Sequence, residues 1–217
     1  MRLSLSEIST VTATFEEDVQ AYAAAGFDAI GLWEMKLPPD DEANRALLAR
    51  HGLEASNCIP DVPSILPLGI PGMEGPADPE ERIQALCLSV RRLAGYRPES
   101  VVCLSGPLGG RTEAEGRAIV VDGLRRIGAA AAAADVPLAF EPVHRTQHDV
   151  VSFVNSIPYA IELLEEAGLH HAGLMLDLSG VSGSLDVEIF SEPDRFWGLP
   201  VDEAARRAHA AVAALVS

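Results

Sequence analysis

Asp177 and Glu188 are only eleven positions apart, and that interval limits the possible fold more than any other feature of the chain. Each carboxylate closes a run that reads as a buried strand, Leu174-Met175-Leu176-Asp177 and Leu185-Asp186-Val187-Glu188. A third such end, Leu138-Ala139-Phe140-Glu141, lies earlier. Parallel strands are joined by crossovers of at least about ten residues, usually a helix. Between Asp177 and Leu185 lie only the seven residues Leu178-Ser179-Gly180-Val181-Ser182-Gly183-Ser184. Extended, seven residues reach roughly 23 Å, enough for a bare return but not for a helix. Asp177 follows Glu141 by 36 positions. Two barrel units of that length would separate Asp177 from Glu188 by about 72 positions, so about 60 residues are lacking. Either the chain has lost one βα unit, or the sequence joins two segments that flank a missing stretch.

Elsewhere the pattern is regular. Strand-like runs at Leu3–Ile8, Ala29–Trp33, Glu54–Cys58, Val101–Ser105, Leu138–Glu141, Gly173–Asp177 and Leu185–Ile189 alternate with helical stretches. Thr14, followed by Glu16, Glu17 and Asp18, predicts a helix start, with its stop at Gly26. Asp40 or Asp41 predicts a second helix ending at His51-Gly52. Others are expected from Pro79 to residue 95, from Thr112 to Ala134, from Ile157 to Ala167 and from Asp202 to Val216. Such alternation implies parallel strands with helical crossovers. No GxGxxG follows the first strand, which disfavours a doubly wound dinucleotide fold. The expectation is an α/β protein, a (β/α)8 TIM-type barrel lacking its seventh βα unit between Asp177 and Leu185. Residues 1–217 would form one domain. The proline- and glycine-rich stretch from Ile59 to Asp78 is too long for an ordinary strand-to-helix connection and is expected to form a lid or rim loop.

Net charge is −16, with one lysine, Lys36, and no basic run. Nucleic-acid phosphates need clustered Lys and Arg, so no nucleic-acid partner is expected. No apolar run is long enough to span a membrane, and the amino terminus lacks a signal-peptide pattern. A cytoplasmic location follows as the default. Cys58, Cys87 and Cys103 have no CxxC spacing and read as reduced, buried thiols.

The carboxyl ends of all strands of a βα barrel converge on one face. Glu141, Asp177 and Glu188 would then meet, although they are far apart in sequence. Three carboxylates together repel one another unless a cation compensates. Oxygen donors suit Mg²⁺ or Mn²⁺, and an added imidazole widens the choice to Co²⁺ or Zn²⁺. Each carboxylate taken alone could equally be a cap or an ion-pair partner. After Glu141, His144 could orient a ligand or bind substrate, and Arg145 could hold a carboxylate, phosphate or hydroxyls. Trp33 and Glu34 at the end of the second strand could offer an apolar wall and an acceptor to a sugar. Trp197 could close the pocket or cover the rim.

Phe140-Glu141-Pro142-Val143-His144, Leu174-Met175-Leu176-Asp177 and Asp186-Val187-Glu188-Ile189-Phe190-Ser191 resemble the sugar phosphate isomerase/epimerase family with the xylose-isomerase-like TIM barrel. Ala24-Ala25-Gly26-Phe27-Asp28-Ala29-Ile30-Gly31-Leu32-Trp33 resembles its passage from first helix to second strand. The resemblance implies one divalent ion (Mn, Mg, Co or Zn) held by Glu, Asp, His and Glu, of which Glu141, Asp177 and Glu188 match the first, second and fourth. The histidine has no counterpart, its segment falling in the missing stretch, and Ser179-Gly180 replaces the aromatic–histidine pair often found after the Asp. The implied reaction is proton transfer beside a carbonyl through a metal-bound enediolate, with Glu141 and Glu188 as general acid and base. Implied substrates are small sugars, hydroxy-keto acids or inositol derivatives.

Two alternatives stay open: a keto-inositol-type dehydratase, and a non-catalytic sugar-binding or assembly protein. An incomplete barrel leaves strand edges open to pairing, so a homodimer is expected.

Overall fold

The computed structural model describes residues 2–73, 75–175, 184–189 and 191–216. In chain order its elements are β1 (Arg2–Ser6), α1 (Phe15–Ala25), β2 (Ala29–Trp33), α2 (Asp41–His51), β3 (Glu54–Ile59), α3 (Pro79–Leu93), β4 (Ser100–Cys103), α4 (Glu113–Ala133), β5 (Leu138–Phe140), α5 (Ile157–Glu166), β6 (Gly173–Leu174), β7 (Ser184–Val187) and α6 (Val201–Val216). This alternation is the TIM-type α/β fold, with seven strands described where a complete barrel has eight. The chain divides into two compact units, one built from residues 1–58 and 178–217, the other from residues 59–177.

In the first unit the strand order is β7-β1-β2-β3. β1 pairs in parallel with β2 through Ser4↔Ala29 to Ser6↔Gly31. On its other side it pairs in parallel with β7, Leu3 opposite Leu185 and Leu5 opposite Val187. The eighth strand of a closed barrel lies beside the first, so β7 occupies the eighth position, and among the described residues no strand fills the seventh. Every residue of β2 is buried, as expected of parallel strands covered on both faces. Leu5, Ile30 and Leu32 lose all contact with water, and each stabilises the fold by roughly 1.5–3 kcal/mol.

Helix α1 begins where the sequence says it should. The Thr14 hydroxyl accepts the Glu17 N–H at 3.3 Å, and the Glu17 carboxylate accepts the Thr14 N–H at 2.8 Å. This reciprocal pair satisfies two otherwise orphaned donors. Gly26, at φ 95°, ends the helix in the left-handed conformation that glycine adopts without strain. Phe15, Val19 and Tyr22 form its buried face, and it packs on α2 and α6.

The second unit holds β4-β5-β6 with α3, α4 and α5. β5 pairs in parallel with β4 and with β6. The stretch from Ile59 to Asp78, expected as a lid or rim loop, is anchored within this unit. Ile65 and Leu66 are fully buried, and their N–H groups donate to Leu104 and Ser105 at 3.0 and 2.8 Å. Arg82 of α3, itself buried, grips the same stretch. Its Nε donates to the Ser64 carbonyl at 2.9 Å, Nη2 to Ser64 Oγ at 2.8 Å and Nη1 to the Pro76 carbonyl at 2.9 Å. Gly106 sits at φ +79°, and a Cβ there would lie 2.1 Å from the Leu66 carbonyl oxygen. Only glycine fits that crossing.

Between β6 and β7 lie residues 175–183, fewer than a helical crossover needs. Among the described residues no helix is long and apolar enough to cross a membrane.

Candidate functional site

Parallel barrels carry their chemistry where strands end and loops begin. In the first unit, β1 ends in Ser6, and Glu7, Ser9 and Thr10 follow in a short 3-10 turn, all of them buried. Glu7 is 0% exposed. One of its carboxyl oxygens accepts the Trp33 backbone N–H at 2.7 Å, while the other receives no N–H or O–H donor. Lys36, the single lysine, donates to the carbonyls of Glu7 and Thr10 at 3.2 and 2.9 Å and ion-pairs with Asp18. Thr10 Oγ1 donates to Asp18 at 2.6 Å.

Burial raises Glu7 to about 8, with the Lys36 ammonium only partly opposing it. Burial also raises Asp18, again against Lys36. Both carboxyls are pushed upward, but Asp18 has an ammonium and a hydroxyl facing it, whereas Glu7 has one peptide N–H. The proton of this pair therefore resides on Glu7, within hydrogen-bonding reach of Asp18.

Trp33, expected as an apolar wall, is only 6% exposed, and its indole N–H donates to Ser6 Oγ at 2.9 Å. Ser6 Oγ in turn donates to Glu188 Oε1 at 3.2 Å. Glu188 follows β7 and is exposed. Trp197 donates its indole N–H to the Ile189 carbonyl at 3.2 Å. The structure thus brings Trp33 and Glu188 together through Ser6 and sets Trp197 against the residue after Glu188. Glu34 is buried at the start of a 3-10 turn. Asp186, two residues before Glu188, accepts from Asn57 Nδ2 at 3.0 Å. A Cβ on Gly31, in the middle of β2, would fall 2.4 Å from its carboxylate, so a larger residue there would have to displace the Asp186 side chain.

In the second unit, Glu141 follows β5 and is partly exposed, its N–H donating to the Cys103 carbonyl at 3.1 Å. His144 and Arg145 lie exposed on the same segment. His144 caps a short 3-10 turn, its Nδ1 lying 3.0 Å from Thr146 Oγ1. Burial pushes the Cys103 thiol up to about 12 and raises Cys58 well above its usual range, so neither is a thiolate nucleophile.

Asp177 lies outside the described residues. Among the described residues no group of three or more His, Cys, Asp or Glu side chains could hold a metal ion. Of the three expected carboxylate ligands, two are described, and two do not make a metal centre. Their donors are carboxylate oxygens, which suit hard divalent ions.

Sequence reasoning passed over Ser6, Glu7 and Ser9. A signal was present: Ser6-Glu7 closes the first strand just as Glu141 and Glu188 close theirs.

These strand ends belong to a parallel βα protein of the TIM-barrel class. The chain belongs to the xylose isomerase-like TIM barrel family, whose model matches residues 19–211. No curated protein matches the chain significantly. Among solved structures it resembles protein SMc04130 from Sinorhizobium meliloti 1021, at 20% identity and a TM-score of 0.78, covering 98% of each chain. It resembles the IOLI protein with a binding zinc atom at 17% identity and a TM-score of 0.72, covering 100% of this chain and 98% of that one. D-psicose 3-epimerase from Clostridium cellulolyticum H10, solved with D-tagatose, matches at 13% identity and a TM-score of 0.62, over 80% of this chain and 62% of its own. At these identities the likeness is one of fold.

Proposed function

We propose that the protein is an isomerase or epimerase of a small sugar or polyhydroxy-carbonyl compound. The observation that carries this reading is the pairing of β7 with β1, which gives Glu188 the strand end of an eighth barrel strand in a chain of this family. The epimerase and the zinc-bound protein among its structural relatives support the same class of chemistry.

In this reading Glu141 and Glu188 exchange a proton at the carbon beside the substrate carbonyl, one removing it and the other returning it. Both carboxylates are at least partly exposed, as groups that meet substrate must be. Arg145 would hold a terminal carboxylate or phosphate of the substrate, and His144 a hydroxyl. Glu34, Trp33 and Trp197 would flank the substrate less directly, since Trp33 and Glu34 are buried. A divalent ion (Mn, Mg, Co or Zn), held by Glu141, Asp177 and Glu188, would supply Lewis-acid polarisation of the carbonyl.

The test is proton exchange in deuterated water, followed by NMR. The protein is incubated with a panel of ketoses, hydroxy-keto acids and keto-inositols, with each ion added in turn. Deuterium incorporation with product formation, lost in Glu141→Gln and Glu188→Gln, supports the reading. Full turnover in either variant refutes it. Loss of water from a keto-inositol would instead identify a dehydratase.

A further inference from the structure

We infer that Ser6 is a positioning residue for Glu188, and that Trp33 fixes the direction in which Ser6 acts. The inference rests on the proposed role of Glu188 and deepens it. An indole N–H can only donate. The Trp33 Nε1–H, 2.9 Å from Ser6 Oγ, therefore occupies a lone pair of the hydroxyl. The single hydroxyl proton is left to point at Glu188 Oε1, 3.2 Å away. Ser6 is 0% exposed, so no water can replace either partner. Ser6 is too deep to touch substrate, while the Glu188 carboxylate it holds is exposed.

The backbone around Glu188 is held as well. Ser9 Oγ donates to the Val187 carbonyl at 3.4 Å and accepts the Ile189 N–H at 2.8 Å. One hydroxyl thus spans the peptide groups on both sides of Glu188. Trp197 adds the Ile189 carbonyl at 3.2 Å. Ser6 sets where the carboxylate points, and Ser9 and Trp197 set where its main chain lies. A carboxylate that exchanges protons with carbon must be placed to within a fraction of an ångström, and this hydrogen-bonded frame supplies that placement.

The test uses Ser6→Ala, Trp33→Phe, the double variant and Glu188→Gln. Ser6→Ala only removes an atom, so packing is not strained. It is expected to lower kcat about tenfold with KM little changed, the loss of one hydrogen bond to a charged acceptor. Trp33→Phe is expected to cost less alone and nothing further once the hydroxyl is gone, because its effect passes through that hydroxyl. The chain has two tryptophans, so the indole N–H region of a nitrogen-15 NMR spectrum holds two resonances. The one deleted by Trp33→Phe is expected to shift in Ser6→Ala and also in Glu188→Gln, while that of Trp197 stays. Unchanged kcat in Ser6→Ala, with Glu188→Gln inactive, overturns the inference and leaves the proposed function standing. Additive losses in the double variant, or a Trp33 resonance indifferent to both substitutions, also overturn it. Full turnover in Glu188→Gln removes the proposed function, and the inference with it.

Discussion

Replacing Glu7 with glutamine should make the protein more stable at neutral and alkaline pH, although it removes a fully buried side chain's native chemistry. Glu7 holds its proton until about pH 8 in the folded chain, against an ordinary value near 4.5, chiefly because burial disfavours the carboxylate. The unfolded chain releases that proton near 4.5, so the folded state carries one more proton across the interval. Stability is therefore complete below pH 4.5 and falls as pH rises, until Glu7 ionises in the folded state too. The slope is about 1.4 kcal/mol per pH unit, which amounts to about 3 kcal/mol by pH 7 and about 5 kcal/mol above pH 8. Glutamine has the shape of the protonated acid. Its carbonyl can accept the Trp33 N–H as Glu7 does at 2.7 Å, and its amide can face Asp18. It has no proton to lose, so its stability should lack this slope. Urea unfolding followed by tryptophan fluorescence, from about pH 5 to 8.5, should give curves that meet at the acid end and diverge steadily above it. At pH 7 the variant's midpoint should be higher by about 1–3 M, given a slope of about 1–3 kcal/mol per molar urea. Parallel curves, or a variant less stable at pH 8, would refute the assignment of the proton to Glu7.

Gly106→Ala should destabilise the second unit by at least about 3 kcal/mol, since the new methyl meets the Leu66 carbonyl at 2.1 Å and the backbone sits at positive φ. A thermal midpoint within a degree or two of the parent would count against that crossing. Arg82→Met keeps the apolar stem but removes donors to Ser64 and Pro76. Limited proteolysis should then cut within residues 59–78 many times faster, and unchanged cleavage would mean the arginine does not hold the stretch.

Helix boundaries were legible because their signals are local. Thr14 with Glu17 and Gly26, Asp40 with Gly52, and Pro79 each act on their own backbone, and the helices begin and end within a residue or two of them. The strands were legible as apolar runs between those helices, though the first ends at Ser6 rather than Ile8. The eighth-strand position of β7 also followed from the eleven-residue interval, since chain length alone forbids a helical crossover. What stayed hidden depends on partners distant in sequence. Nothing near Glu7 announces that it will be buried with Asp18 and Lys36, or that Trp33 will turn its N–H toward Ser6. Arg82 sits among exposed helix residues in the sequence, and only the fold turns it inward onto Ser64. The anchoring of residues 59–78 was hidden for the same reason: proline and glycine content reports an irregular backbone, not whether it packs.

The pairing of β7 with β1 has a consequence for the order of events during synthesis. Ser6 and Glu188 meet across 182 positions, whereas residues 59–177 form a unit from one continuous stretch. The contacts inside that stretch need nothing from β7 and can form before it is made. Residues 1–58 are made before that stretch but must wait with β1 open on one edge until β7 arrives. Closing so long a loop is slow, and an open parallel edge is a hazard while it lasts. β1 is thus made well before the partner that completes it, so a growing chain stays exposed to mispairing along that edge.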